Sequence, residues 1–147
     1  LLESKEPLTE VSRYVTFNNI AFANIMLDDP TLLEEADRLS AEAHQNMPWE
    51  GMIIGTRGAV LVASGKIEEG VQLLQTSIAK LQDPKSKAVD ACFIALGEIQ
   101  RGNLATAQNY LDMAARWDAD CMLLGRARAA MEAARTEISG SDAVSRS

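Results

Sequence analysis

His44 is the one imidazole in the chain. Paired-histidine metal sites are therefore excluded, and a histidine-based triad could be assembled only once. It reads as a partly exposed helix residue. The two cysteines, Cys92 and Cys121, each lie inside an apolar helical pattern and far apart in sequence. They read as two reduced, semi-buried thiols in a reducing compartment, not as a disulfide. Gly51, Gly55 and Gly58 surround Thr56 and Arg57 in the manner of a phosphate loop, but the Gly-Lys-Ser/Thr ending is missing and no strand precedes the segment. Close helix packing accounts for these glycines, at up to about 1 kcal/mol each relative to alanine. The carboxylate runs Asp28-Asp29, Glu34-Glu35 and Glu68-Glu69 fall at helix starts, where the helix dipole explains them without a calcium loop or a glycosidase pair. No residue set is left to carry a reaction, so the chain reads as a non-enzyme without metal or cofactor.

The elements that carry these residues follow from composition and spacing. With 147 residues, 47% hydrophobic and only 5% aromatic, the chain is long enough for one domain with a real core. Its heavy use of Ala, Leu and Met favours helix over sheet, which predicts an all-α fold. A formal charge of −7 without a basic stripe argues against a nucleic-acid surface. No apolar run approaches the roughly 20 residues of a membrane span, and no basic-then-apolar leader opens the chain. Direct membrane insertion is therefore not expected, and a cytoplasm of bacterial type fits best. The chain begins at Leu1 and not at Met, which suggests a piece of something longer, such as the cytoplasmic-side domain of a membrane-attached or catalytic protein.

Apolar residues from Leu8 to about Leu27 predict one long helix or two short ones. Asp29-Pro30 ends that segment and starts a second helix, with Asp29 as N-cap and Pro30 in the first turn. Leu32, Leu33, Ala36, Leu39 and Ala43 give this second helix a three-and-four spacing up to about Asn46. A third helix is predicted from Trp49 to Ser64, with Gly65 as its left-handed terminator. The buried stripe of a fourth is Ile67, Gly70, Val71, Leu74, Ile78 and Leu81. Asp83-Pro84 repeats the capping device before a fifth helix ending at Gly102, and Asn103 is expected to cap a sixth that runs to Trp117. A seventh, residues 121–138, carries Arg126, Arg128, Glu132, Arg135 and Glu137 outward, and residues 139–147 read as a disordered tail. Short connections between helices of this length require antiparallel neighbours. Trp49 and Trp117 are expected to pack on a neighbouring hairpin, and Met47, Met113, Met122 and Met131 to fill the core.

The same order of small, bulky and turn residues occurs twice. Gly65-Lys66-Ile67 reappears 37 positions later as Gly102-Asn103-Leu104, Gly70 as Ala107, Leu73-Leu74 as Tyr110-Leu111, and Ser77-Ile78 as Ala114-Ala115. A period in this range marks stacked helical units. The pattern resembles the tetratricopeptide repeat, a helix-turn-helix unit of about 34 residues. The third copy carries Ile94-Ala95, Gly102, Ala107, Leu111 and Ala114. The second carries Gly58, Gly65, Gly70, Leu74 and Ser77, with Arg57 in place of a bulky apolar residue, and the first Phe17, Ile20-Ala21, Ala36 and Ala43. The copies span about residues 14–47, 51–84 and 88–119 of a single domain, residues 1–138.

The resemblance implies a right-handed superhelical array of antiparallel helix pairs, an α-solenoid of about seven helices, whose first helices line a groove for a protein or peptide partner. Carried over by position, that groove comprises Val15, Asn18, Asn19, Phe22, Ile25 and Met26, then Met52, Thr56, Ala59 and Val62, then Val89, Phe93, Leu96, Ile99 and Gln100. The Lys/Arg and Asn set with which one subclass grips a terminal carboxylate is absent. An apolar or amphipathic helix is therefore the expected occupant. A second copy of the chain, forming a homodimer, is the alternative. Arg57 and Glu98, both charges in normally apolar slots, are expected to pair with each other.

Overall fold

In the computed structural model, backbone is described for residues 2–146 and side chains for residues 9–140. Among these residues the chain is all-helical, with seven α-helices and no strand. It divides into two compact units, Leu1–Leu81 and Gln82–Ser147.

In the first unit, α1 (Leu2–Leu27) is one continuous helix. It ends at Asp28, whose φ of 54° is the one positive value at a non-glycine residue among those described. Asp29 then accepts from the Thr31 N–H at 2.9 Å and from its hydroxyl at 2.7 Å. These two bonds hold the Asp29 carboxyl below its usual range. Pro30–Leu32 forms a single 3-10 turn that leads into α2 (Leu33–Asn46). The cap and the proline therefore act as read from sequence, with the added turn taking up the longer connection. On α2 the buried residues are Ala36, Leu39, Ser40 and Ala43, one stripe at the helical period. Ala43, Met47 and Ile53 form a core cluster on which Tyr14 and Phe17 of α1 pack.

The second hairpin pairs α3 (Gly51–Ala63) with α4 (Ile67–Lys80). Trp49 precedes α3 and is 64% exposed, so it neither starts the helix nor packs as expected. Gly65, at φ 88°, ends α3 through a Schellman pair. Its N–H donates to Val62 O, and the Lys66 N–H to Leu61 O, the bonding that a left-handed residue after the helix allows. The helices cross with backbones touching, since a Cβ on Gly58 would lie 2.8 Å from Gly70 O and one on Gly70 2.7 Å from Gly58 O. Ser77, fully buried, donates to Gly51 O at 2.9 Å. That bond ties the end of α4 to the start of α3 and shows the antiparallel pairing.

The second unit opens with Asp83 capping Lys85 N and Pro84 at the first position of α5 (Pro84–Gln100). Gly102, at φ 80°, closes it with the same Schellman pair, through Gly102 N to Ile99 O and Asn103 N to Glu98 O. α6 (Leu104–Trp117) buries Ala107, Leu111 and Ala114. Asn103 sits at its N-cap but does not cap it with its side chain, which turns back to Glu98. α7 (Met122–Arg146) continues past Ile138, where the sequence predicted an end, through most of the segment read as a tail. Ser147 lies outside the described residues. Leu123, Leu124, Ala127 and Met131 are buried on α7, while Arg128, Glu132, Arg135 and Glu137 face solvent and Arg126 is half-buried. Met122, expected as core filler, is exposed because it begins the helix on the solvent side.

First and second helices of the hairpins differ in kind. α3 and α5 are buried along most of their length on all faces, whereas α4 and α6 bury one stripe. That is the division between an enclosed helix and a covering one.

Candidate binding surface

The residues expected to line a groove lie on α1, α3 and α5, and their environments separate into three groups. Val15, Asn19, Met52 and Gln100 are exposed. Phe22, Met26, Val89, Leu96 and Ile99 are half-buried, while Asn18, Ile25, Thr56, Ala59, Val62 and Phe93 are closed to solvent. The buried six cannot reach a ligand in this conformation. Thr56 spends its hydroxyl on Met52 O of its own helix at 3.0 Å.

The open part of the set concentrates on the first unit. Val11 and Val15 lie one turn apart on α1, 45% and 41% exposed, and Met52 near the start of the adjacent α3 is 47% exposed. Val11, Val15, Asn18, Phe22 and Ile25 step along α1 by four and three residues, a single stripe that sinks from exposed to buried toward the helix end. In the middle of that stripe the Asn18 side-chain oxygen is buried and accepts no hydrogen bond. Buried acceptors are rarely left in that state, because an unmade bond costs about 1–3 kcal/mol.

The two charges in apolar slots find partners inside their own units. Arg57 reaches back to α2, donating to Asp37 Oδ1 at 2.8 Å, Asp37 O at 3.1 Å and Ser40 Oγ at 3.1 Å. Glu98 is buried and accepts from Asn103 Nδ2 at 2.8 Å and from Arg101 at 3.3 Å. It serves the α5–α6 turn, so each of the two charges expected to pair is engaged within its own unit.

His44 is half-buried on α2, and its pKa is lowered, first by burial and then by the positive charge of Arg57. Thr31, Glu34, Glu35, Asp37 and Arg38 line an open depression over the start of α2. Its charges face water, and Asp37 is already engaged by Arg57. Among the described residues no group of three or more His, Cys, Asp and Glu side chains is arranged to hold a metal ion. No described helix is long and apolar enough to cross a membrane.

Sequence reasoning missed one juxtaposition. Cys92, in α5, and Cys121, at the entry to α7, are both buried, and the Cys121 thiol is near enough to act on that of Cys92. Burial first, then the Cys121 thiol, pushes the Cys92 thiol up to about 12, with Arg128 pulling the other way. Their separation in the chain hid the contact, and only their shared small, apolar setting pointed to it.

Comparison with protein-family models, with curated proteins and with solved structures finds no match to this chain.

Proposed function

We propose that the chain is a tetratricopeptide-like interaction module, a superhelical stack of helix pairs whose first helices receive an apolar or amphipathic segment of another polypeptide. It performs no chemistry of its own. One observation carries the reading: Val11, Val15 and Met52 leave apolar side chains in water on two adjacent first helices. In the same unit α2 and α4 bury theirs in single stripes, while Ile20 and Leu27 of α1 and Trp49 before α3 also stand open. Aligned apolar side chains on neighbouring elements mark contact surfaces more often than isolated ones do. The repeated hairpin supports the class through its matched glycine terminators and small residues at matched positions.

Photoreactive residues test this directly, placed at position 15 or 52 and, as control, at Gln72 on the exposed face of α4. A polypeptide adduct is expected at 15 and 52 and not at 72. Val15→Glu should abolish the adduct formed from position 52. Equal labelling at all three positions would reject the surface. An adduct of twice the chain mass would identify the segment as coming from a second copy.

A further inference from the structure

The charges around the open apolar side chains of the first unit are one-sided. Residues 1–81 hold twelve carboxylates against six basic side chains, while residues 82–147 hold nine against eight, so nearly all of the formal −7 lies in the unit that carries Val11, Val15 and Met52. Tyr14 and Phe17 of α1 pack on the cluster that contains Ile53 of α3, which brings the turn from Val11 to Val15 beside the start of α3. On α1 from Thr9 onward, and on α3 with its cap residue, the charged side chains are Glu10, Arg13, Glu50 and Arg57. Both arginines are turned to α2. Arg13 reaches Glu42 at 3.3 Å while lying over the rings of Tyr14 and Phe17, and Arg57 reaches Asp37 at 2.8 Å. Glu10 and Glu50 are exposed, and among the described residues neither has an ion pair or a side-chain hydrogen bond. Glu50 stands at the N-cap of α3 without capping it through its side chain. The cations of the two first helices are thus spent on α2, and bare carboxylates remain next to the open apolar side chains.

We infer that the segment received on this surface is a cationic amphipathic helix, with apolar residues three and four apart to meet Val11, Val15 and Met52, and with Lys or Arg beside them to meet Glu10 and Glu50. The inference rests on the reading of that surface as polypeptide-binding and adds the chemistry of what binds. Val11 and Val15, four residues apart on α1, present the spacing that such a helix matches with its own side chains one turn apart. Charge disfavours the other occupants. A second copy docking through the same patch about a two-fold axis would set Glu10 and Glu50 against their own kind in an already acidic unit. An anionic lipid surface or a nucleic acid would meet the same repulsion. Cations on an incoming helix instead gain attraction at each carboxylate, and the net charge of the unit speeds their encounter.

Fluorescence polarisation of labelled synthetic helices against the full chain tests this. Three peptides share one leucine stripe at three-and-four spacing and differ in their polar face, which is lysine, glutamine or glutamate. At low salt the lysine peptide should bind roughly tenfold more tightly than the glutamine peptide, the glutamate peptide should bind least, and added salt should close the gap. Glu10→Gln with Glu50→Gln should weaken the lysine peptide roughly fivefold. Glu68→Gln with Glu69→Gln, which removes the same charge from the exposed start of α4, should leave its affinity unchanged. Val15→Gln should weaken the lysine and glutamine peptides alike. All these positions are exposed, and unchanged urea midpoints verify that each variant folds. A lysine peptide that binds no better than the glutamine peptide would overturn the inference. So would equal losses in the two double variants, no loss in Val15→Gln, or binding of none of the peptides. In each of those cases the photo-adducts at positions 15 and 52 still decide separately whether the surface receives a polypeptide.

Discussion

The α3–α4 and α5–α6 hairpins lie 37 positions apart in the chain and solve the same packing problem with different atoms. In the first, Gly58 and Gly70 bring backbone against backbone, close enough that a methyl group on either would collide with the partner's carbonyl. In the second, the corresponding Ala95 and Ala107 are both fully buried. The charged departures are exchanged as well. Arg57 in α3 corresponds to the buried Ile94 in α5, and the buried Leu61 in α3 corresponds to Glu98 in α5. The enclosed helices thus tolerate charge, with Asp90 buried on α5 as well, and the two departures find partners within their own units: Asp37 and Ser40 for Arg57, Asn103 and Arg101 for Glu98. What is common to both is the spacing of small residues and the left-handed glycine that ends the first helix. The particular side chains at the crossing are negotiable, but only as a matched set.

The comparison breaks most visibly at the crossing itself. Gly70→Ala should destabilise the first unit by about 2 kcal/mol, because overpacking against Gly58 O and Val62 outweighs the gain in helix propensity. Ala107→Gly in the second unit should cost about 1 kcal/mol, through lost propensity and a lost methyl group. Urea midpoints at unchanged slope measure both, and a neutral or stabilising Gly70→Ala would show that the close approach is not rigid.

A smaller effect is expected at the end of the same hairpin. Ser77→Ala removes the hydroxyl bond to Gly51 O and should cost about 1 kcal/mol. Its counterpart Ala114 already lacks a hydroxyl, so Ala114→Ser, which buries an oxygen, should also destabilise. A stabilising Ala114→Ser would mean that the second hairpin holds an acceptor equivalent to Gly51 O.

The smallest effect is a pH dependence confined to the first unit, which carries the only histidine. The folded protein holds His44 below its ordinary value of 6.5, so the unfolded chain binds the proton more readily. Stability is then present above about pH 6.5 and falls as the pH drops from there toward the folded value. In His44→Gln that part of the slope should disappear from urea titrations between pH 7 and pH 5. An unchanged slope would assign it to carboxylates instead.

The sequence alone determined where most helices begin and end. Asp29-Pro30, Gly65, Asp83-Pro84 and Gly102 act within a few residues of themselves, through a cap bond, a fixed φ or a left-handed turn, and each does so in the folded chain. The recurrence of small residues likewise marked the hairpin crossing, because only small side chains let two backbones approach. Where such local bonding was misread, as at Asn103, the side chain instead donates its amide N–H back to the Glu98 carboxylate on the preceding helix. The tertiary structure decided the rest. It closed Asn18, Thr56, Ala59 and Phe93 to solvent while leaving Val15 and Met52 open. It also gave Arg57 to Asp37 and set Cys92 beside Cys121. Those outcomes depend on which helix faces lie opposite one another across tens of residues, and helical periodicity names the apolar face of a segment without saying what will cover it.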